Sequence, residues 1–153
     1  MEIVFDKNTG LLIPGEHKLT IDEFKEIFVY NDKRRLIFSG FQKLLGIFKQ
    51  IECSHIYADG SFVTKKPFPS DIDICWHMDE NKEQRNKQLK KLLEICKPLI
   101  FLNDNREFIQ NEFYADVFPA NTLEGASGLM FKDFFKKDKH TGKEKGIIII
   151  DLL

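Results

Sequence analysis

Asp71 and Asp73 stand two residues apart in an apolar run, and the pair Gly60-Ser61 lies about ten residues upstream, in the stretch HIYADGSFVTKKPFPSDIDICW. On a strand, side chains at i and i+2 share one face, about 6.8 Å apart along the backbone at ~3.4 Å per residue. Two carboxylates so placed repel each other unless a cation sits between them. A divalent ion is the usual solution, and Mg²⁺ takes one or two carboxylates together with phosphate oxygens. Gly60 lets backbone come close to a ligand, while Ser61 offers a hydroxyl and an N–H to a phosphate oxygen. A third carboxylate, Asp116, interrupts the apolar run Phe113–Phe118. A buried carboxylate needs a metal, an arginine or a proton, and Arg34, Arg35 and Arg106 are the arginines in question.

Each signal has a plainer alternative. Acidic pairs at strand ends also serve as caps, turns and solvated edges, so the tripeptide carries weight only with the upstream Gly-Ser and Asp116. Lys65 and Lys66, between the turn and the aspartates, would supply positive charge to phosphates or simply solvate a loop. Six lysines between Lys132 and Lys145 could meet phosphate or a polynucleotide, although charged loops commonly serve only solubility. Thr141-Gly142-Lys143 lacks the glycine spacing and leading strand of a P-loop. Cys53-Ser54-His55 and Cys75-Trp76-His77 repeat a C-x-H pattern on neighbouring predicted strands, but the spacing is not that of a common zinc module. Trp76 and His77 are expected to pack at the sheet.

The elements that must position these residues are legible from pattern. Asn8-Thr9-Gly10 and Pro14-Gly15 mark turns after a short apolar start. Thr20-x-x-Glu23 is a capping box opening a helix to about Val29. A second helix is predicted over 32–50, with Ile37, Phe41, Leu44, Leu45 and Phe48 forming its buried stripe. Strands follow at 53–59 and 72–77, then a helix at 81–97 burying Leu89, Leu92, Leu93 and Cys96, with Pro98 beyond its end. A short strand is predicted at 99–102 and a third main strand at 112–118, then a helical turn at 131–135, a polar loop at 136–145 and a buried strand at 147–152.

Length and composition set the frame. At 153 residues, 42% hydrophobic and 31% charged, the chain suits one folded domain, and 15 phenylalanines predict a Phe-rich core. A net charge of -1 excludes nucleic-acid binding by bulk charge alone, though not through a local patch. No apolar stretch approaches the ~20 residues of a membrane span. With no basic n-region or apolar h-region at the N-terminus, a cytoplasmic location is expected.

The ordered pattern of Gly60-Ser61, Asp71-x-Asp73 and a lone later Asp116 resembles the polymerase-β-like nucleotidyltransferase superfamily. GSFVTKKPFPSDIDI, YADVFPA and the terminal FFKKDKHTGKEKGIIIIDL resemble its small stand-alone bacterial members, with weaker likeness at Arg34-Arg35. The motif core covers roughly a third of the chain. The resemblance implies an α/β (α+β) fold in one domain, a mixed β-sheet flanked by helices. Residues 1–51 would form a mostly helical N-terminal part, and 52–153 the sheet with the site. It implies that Asp71, Asp73 and Asp116 bind Mg²⁺ or Mn²⁺, with Asp116 helping to deprotonate the acceptor, while Gly60 and Ser61 hold the phosphates; Lys65 and Lys66, by their place in the loop, are the candidates to join them. The implied reaction moves a nucleoside monophosphate from a nucleoside triphosphate such as ATP to a hydroxyl, releasing pyrophosphate. The acceptor would be a protein side chain, as in minimal nucleotidyltransferases that silence a partner toxin, or an RNA end or small molecule. The separate substrate-selecting domain of larger members has no room here. A non-catalytic module that holds a nucleotide or partner on the same fold is the alternative.

Overall fold

Thr20 starts the first helix, α1 (Ile21–Phe28), as the sequence requires: its side chain accepts from the Glu23 N–H while Glu23 reaches back to the Thr20 N–H. In this computed structural model, which describes residue 3 and residues 5–153, Asn31 caps the second helix, α2 (Asp32–Gln50), its side chain accepting from the Arg34 N–H. The predicted stripe is buried, and Phe38 and Arg34 join it. Of the apolar start, residues 1, 2 and 4 lie outside the described part.

Five strands form one mixed sheet in the order β1 (Gly15–Leu19), β5 (Gly146–Asp151), β2 (His55–Asp59), β3 (Ile72–Trp76), β4 (Ala115–Pro119). The central pairs β5–β2 and β2–β3 are antiparallel, whereas β1–β5 and β3–β4 are parallel. The chain is thus a single α+β domain with a mixed sheet and helices, as expected. One face of the sheet, with Ile56, Ala58, Ile72, Ile74, Trp76, Ala115 and Val117, joins the main core with Phe24, Phe28, Phe41 and Phe48 of α1 and α2. Strand periodicity turns the alternate residues, Tyr57, Cys75 and Phe118, to the other face, where Phe131 and Phe135 cover them. Gly40 of α2 is required by close approach, because a Cβ there would lie 2.3 Å from the Phe113 carbonyl oxygen.

Four expectations need correction. The stretch expected as a strand at 99–102 instead joins two 3₁₀ turns, Lys97–Leu99 and Leu102–Asp104. The segment before Asp116 is a helix, α4 (Arg106–Phe113), ended by Tyr114 in the left-handed region, so β4 begins only at Ala115. Helix α3 (Lys82–Ile95) buries Gln88 and Leu92, while Leu93 is exposed. The N-terminal part also contributes β1, an edge strand whose GEHKL sequence has little strand character and which is held by pairing to β5. The remaining small helix is α5 (Phe131–Phe134).

Candidate functional site

The β2–β3 and β3–β4 registers bring a row of acids together. Asp59 pairs with Asp73 across the antiparallel ladder, and Asp73 pairs with Asp116 across the parallel one. Directly opposed residues share a face, so these three carboxylates line up on the side away from α2. Asp71 precedes β3 and joins them. Asp71, Asp73 and Asp116 each offer an oxygen, and these oxygens all lie within 4.8 Å of one another. Three hard oxygen donors at that spacing fit a divalent Mg²⁺- or Mn²⁺-type cation.

Crowding shows in the proton affinities. Burial first, then the charges of Asp71, Asp59 and Asp116, push the Asp73 carboxyl up to about 7. Burial and Asp116 also raise Asp71, against the opposing pull of Arg106, Lys66 and Lys139. A carboxylate cluster so poised gains most when a cation neutralises it.

Gly60 closes the site from the β2 side with φ +81°, a conformation that L side chains rarely adopt, and its α-carbon lies against the Asp73 carboxylate. Ser61 follows at the start of a 3₁₀ turn, one residue from that contact. The loop back to Asp71 is fixed from behind by the N-terminus of α2. Arg34, fully buried, donates to the carbonyls of Phe28, Phe62, Thr64 and Lys66 and sits between the rings of Tyr30 and Phe62. Asn31 adds a 2.6 Å bond to the Pro67 carbonyl. A buried guanidinium with carbonyl partners in place of a carboxylate converts a Pro-broken loop into a defined support.

The two loop lysines part company. Lys66 acts on Asp71, but the Lys65 ammonium lies 5.4 Å from the Phe5 ring centre, which departs from the phosphate role expected for it. Among the three arginines offered as partners for Asp116, Arg34 is committed to the loop and Arg35 pairs with Asp32. Arg106 is the partner: it grips Asp116 with two bonds, Nε to Oδ1 at 3.0 Å and Nη2 to Oδ2 at 2.9 Å, while Gln110 donates to Oδ1 at 3.1 Å. The Arg106 side chain is 70% exposed, and Asp116 only 10%. Arg106 stands on the site's face of the sheet, so Asp116 is both clustered with Asp71 and Asp73 and paired with an arginine.

Sequence reasoning missed Asp59 and its ion pair with Lys145, 3.4 Å from Nζ to Oδ1. Asp59 follows Ala58 in a run that reads as an ordinary strand end, and only register sets it opposite Asp73. Along the outer edge of β4 runs a cavity of about 740 Å³, walled by Phe101, Ile109, Phe118, Leu123 and Phe131 and reaching Arg106 and Asp116. The C-x-H pairs do not assemble a zinc site. Cys53 faces the main core and donates to the His55 and His77 carbonyls, and Cys75 faces the opposite side. Trp76 is buried against Phe48, 5.7 Å between ring centres, and is closed to a stacking base.

The chain matches, over residues 3–151, the family model described as "Family of unknown function (DUF6932)", and it belongs to that family. No curated protein and no solved structure matches it. No helix is long and apolar enough to cross a membrane, among the described residues.

Proposed function

We propose that this protein is a metal-dependent nucleotidyltransferase of the polymerase-β-like kind, moving a nucleoside monophosphate from a nucleoside triphosphate to a hydroxyl acceptor. The observation that carries the reading is the convergence of Asp71, Asp73 and Asp116 within 4.8 Å, with Gly60 flush against Asp73. Mg²⁺ or Mn²⁺ held there would supply charge stabilisation to the entering and leaving oxygens at the α-phosphorus, with pyrophosphate as the leaving group. Gly60 and Ser61 take the phosphates on the β2 side, with Lys66 adding charge near Asp71. Asp116, at the end of the β4 cavity, accepts the acceptor's proton. The cavity's aromatic walls give the acceptor or the nucleoside an apolar seat. A cytoplasmic setting, with a toxin-like protein or an RNA as acceptor, goes with this reading.

The second reading, a module that holds a nucleotide or partner without chemistry, is favoured by one observation: Arg106 already neutralises Asp116. Incubation of pure protein with each α-labelled nucleoside triphosphate and Mg²⁺ or Mn²⁺, with and without RNA and cell lysate, separates the two. Metal-dependent pyrophosphate release with label on an acceptor supports the enzyme. Saturable nucleotide binding with no release under any condition supports the module.

A further inference from the structure

We propose that Lys145, seated on the buried carboxylate of Asp59, is the cation that receives the phosphate groups of a polyphosphate bound at the acid cluster. This deepens the nucleotidyltransferase reading and rests on it for the identity of the polyphosphate.

The backbone places Lys145 with little freedom. Its N–H bonds to the Lys136 carbonyl at 2.8 Å, and the next N–H, of Gly146, bonds to Leu12 at 3.0 Å. Lys145 thus closes the lysine-rich 136–145 loop, whose ends also pair at Lys137 and Glu144, and leads directly into β5. Strand β5 lies beside β2 in antiparallel register, with Ala58 opposite Ile148. Continuing that register sets Lys145 beside the Gly60-Ser61 turn.

The side chain is held in the same place. It is 15% exposed and Asp59 is 2% exposed. Yet 3.4 Å is longer than the 2.7–2.9 Å of a charge-assisted hydrogen bond, and neither Asp59 oxygen has a hydrogen-bond partner. Charge, more than a short hydrogen bond, therefore holds the ammonium beside Asp59. Asp59 is a fully buried carboxylate opposite Asp73, an expensive group whose evident partner is this lysine. Lys145 also acts on Asp73. A fixed cation beside a glycine turn and a metal-type acid cluster is what a di- or triphosphate requires, since binding such a group rests on positioning and neutralisation. With Lys65 drawn to Phe5, Lys145 joins Lys66 in the role that the loop lysines were expected to share.

The test is calorimetric titration with inorganic tripolyphosphate in the presence of Mn²⁺. The double variant Asp59→Asn with Lys145→Met removes both charges and leaves no buried ion unpaired. It should bind at least ~10-fold more weakly than the parent, the loss of one charge-assisted bond, while Lys145→Arg stays within about threefold. Binding by the double variant within about threefold of the parent overturns the proposal. Should the double variant not fold, acetylation of the folded parent decides. Tripolyphosphate with Mn²⁺ should protect Lys145 but not the exposed Lys91, and equal labelling of Lys145 with and without it overturns the proposal. Label transfer by an unaffected double variant would sink the lysine's role alone. Tripolyphosphate binding that needs Lys145, in a protein that transfers no nucleotide, would sink the enzymatic reading alone.

Discussion

The Asp73 carboxylate occupies the space where a side chain at position 60 would begin: a Cβ on Gly60 would lie 2.1 Å from Asp73 Oδ2. The glycine at the end of β2 and the aspartate on β3 are therefore one unit. Gly60→Ala must strain a φ of +81° and displace the carboxylate at once. We expect a loss of about 1–3 kcal/mol and abolished Mn²⁺ binding. Gly46→Ala is the control, since that helical position is open and alanine should stabilise it by about 0.5–1 kcal/mol. Urea denaturation of both variants, with and without Mn²⁺, checks the pair.

Asp73→Asn removes charge at nearly constant volume from the most crowded carboxylate. Without metal, the variant should melt at or above the parent temperature, gaining on the order of 1–3 kcal/mol from a buried charge removed and repulsion relieved. Mg²⁺ with nucleotide should stabilise the parent and leave the variant nearly unmoved. Early melting together with an unchanged nucleotide response would mean that Asp73 is structural.

Arg106 and a bound cation compete for Asp116. Because the guanidinium is largely exposed, it can swing into solvent at little cost, and Arg106→Gln should raise Mn²⁺ affinity several-fold. Unchanged or weaker metal binding in that variant would make the Arg106–Asp116 pair a structural clasp.

His55 and His77 stack at 4.4 Å between ring centres, and burial lowers the proton affinity of both, with His77 adding to the effect on His55. The unfolded chain then binds protons more readily than the folded one. Their contribution to stability is complete above the unfolded value of 6.5 and is lost as pH falls below it. Asp73 works in the opposite sense: its folded value, about 7, is above the unfolded 3.8, so its contribution is present at low pH and lost as pH rises through 7. The two partly cancel between pH 7 and 5. Asp73→Asn should therefore show a steeper loss of stability on acidification than the parent, and adding His77→Gln should flatten it. Denaturation midpoints across that range decide, and parallel pH profiles for all three proteins would contradict both assignments.

Much was legible in the residue order because the signals are local. The capping box at Thr20, the apolar stripe of α2 and the period-two alternation of β3 each depend on neighbours within a few positions, and they located the two long helical and strand elements around Gly60, Asp71 and Asp73. Where local preference was weak or contrary, the reading failed. GEHKL became a strand only because β5 offered a ladder, and the stretch before Asp116 became helix α4, ended by a left-handed Tyr114.

The sequence by itself determined which acids and which turn are present, and that Asp71 and Asp73 fall on one side of β3, since spacing along one strand sets that. Tertiary structure alone decided which acids meet. Register between strands placed Asp59 and Asp116 on either side of Asp73 and carried Lys145 to Asp59 from 86 positions away, while the turn from α4 into β4 set Arg106 rather than Arg34 or Arg35 on Asp116. Pairing register is a property of two strands and of the core that fixes them, so no single stretch of residues encodes it.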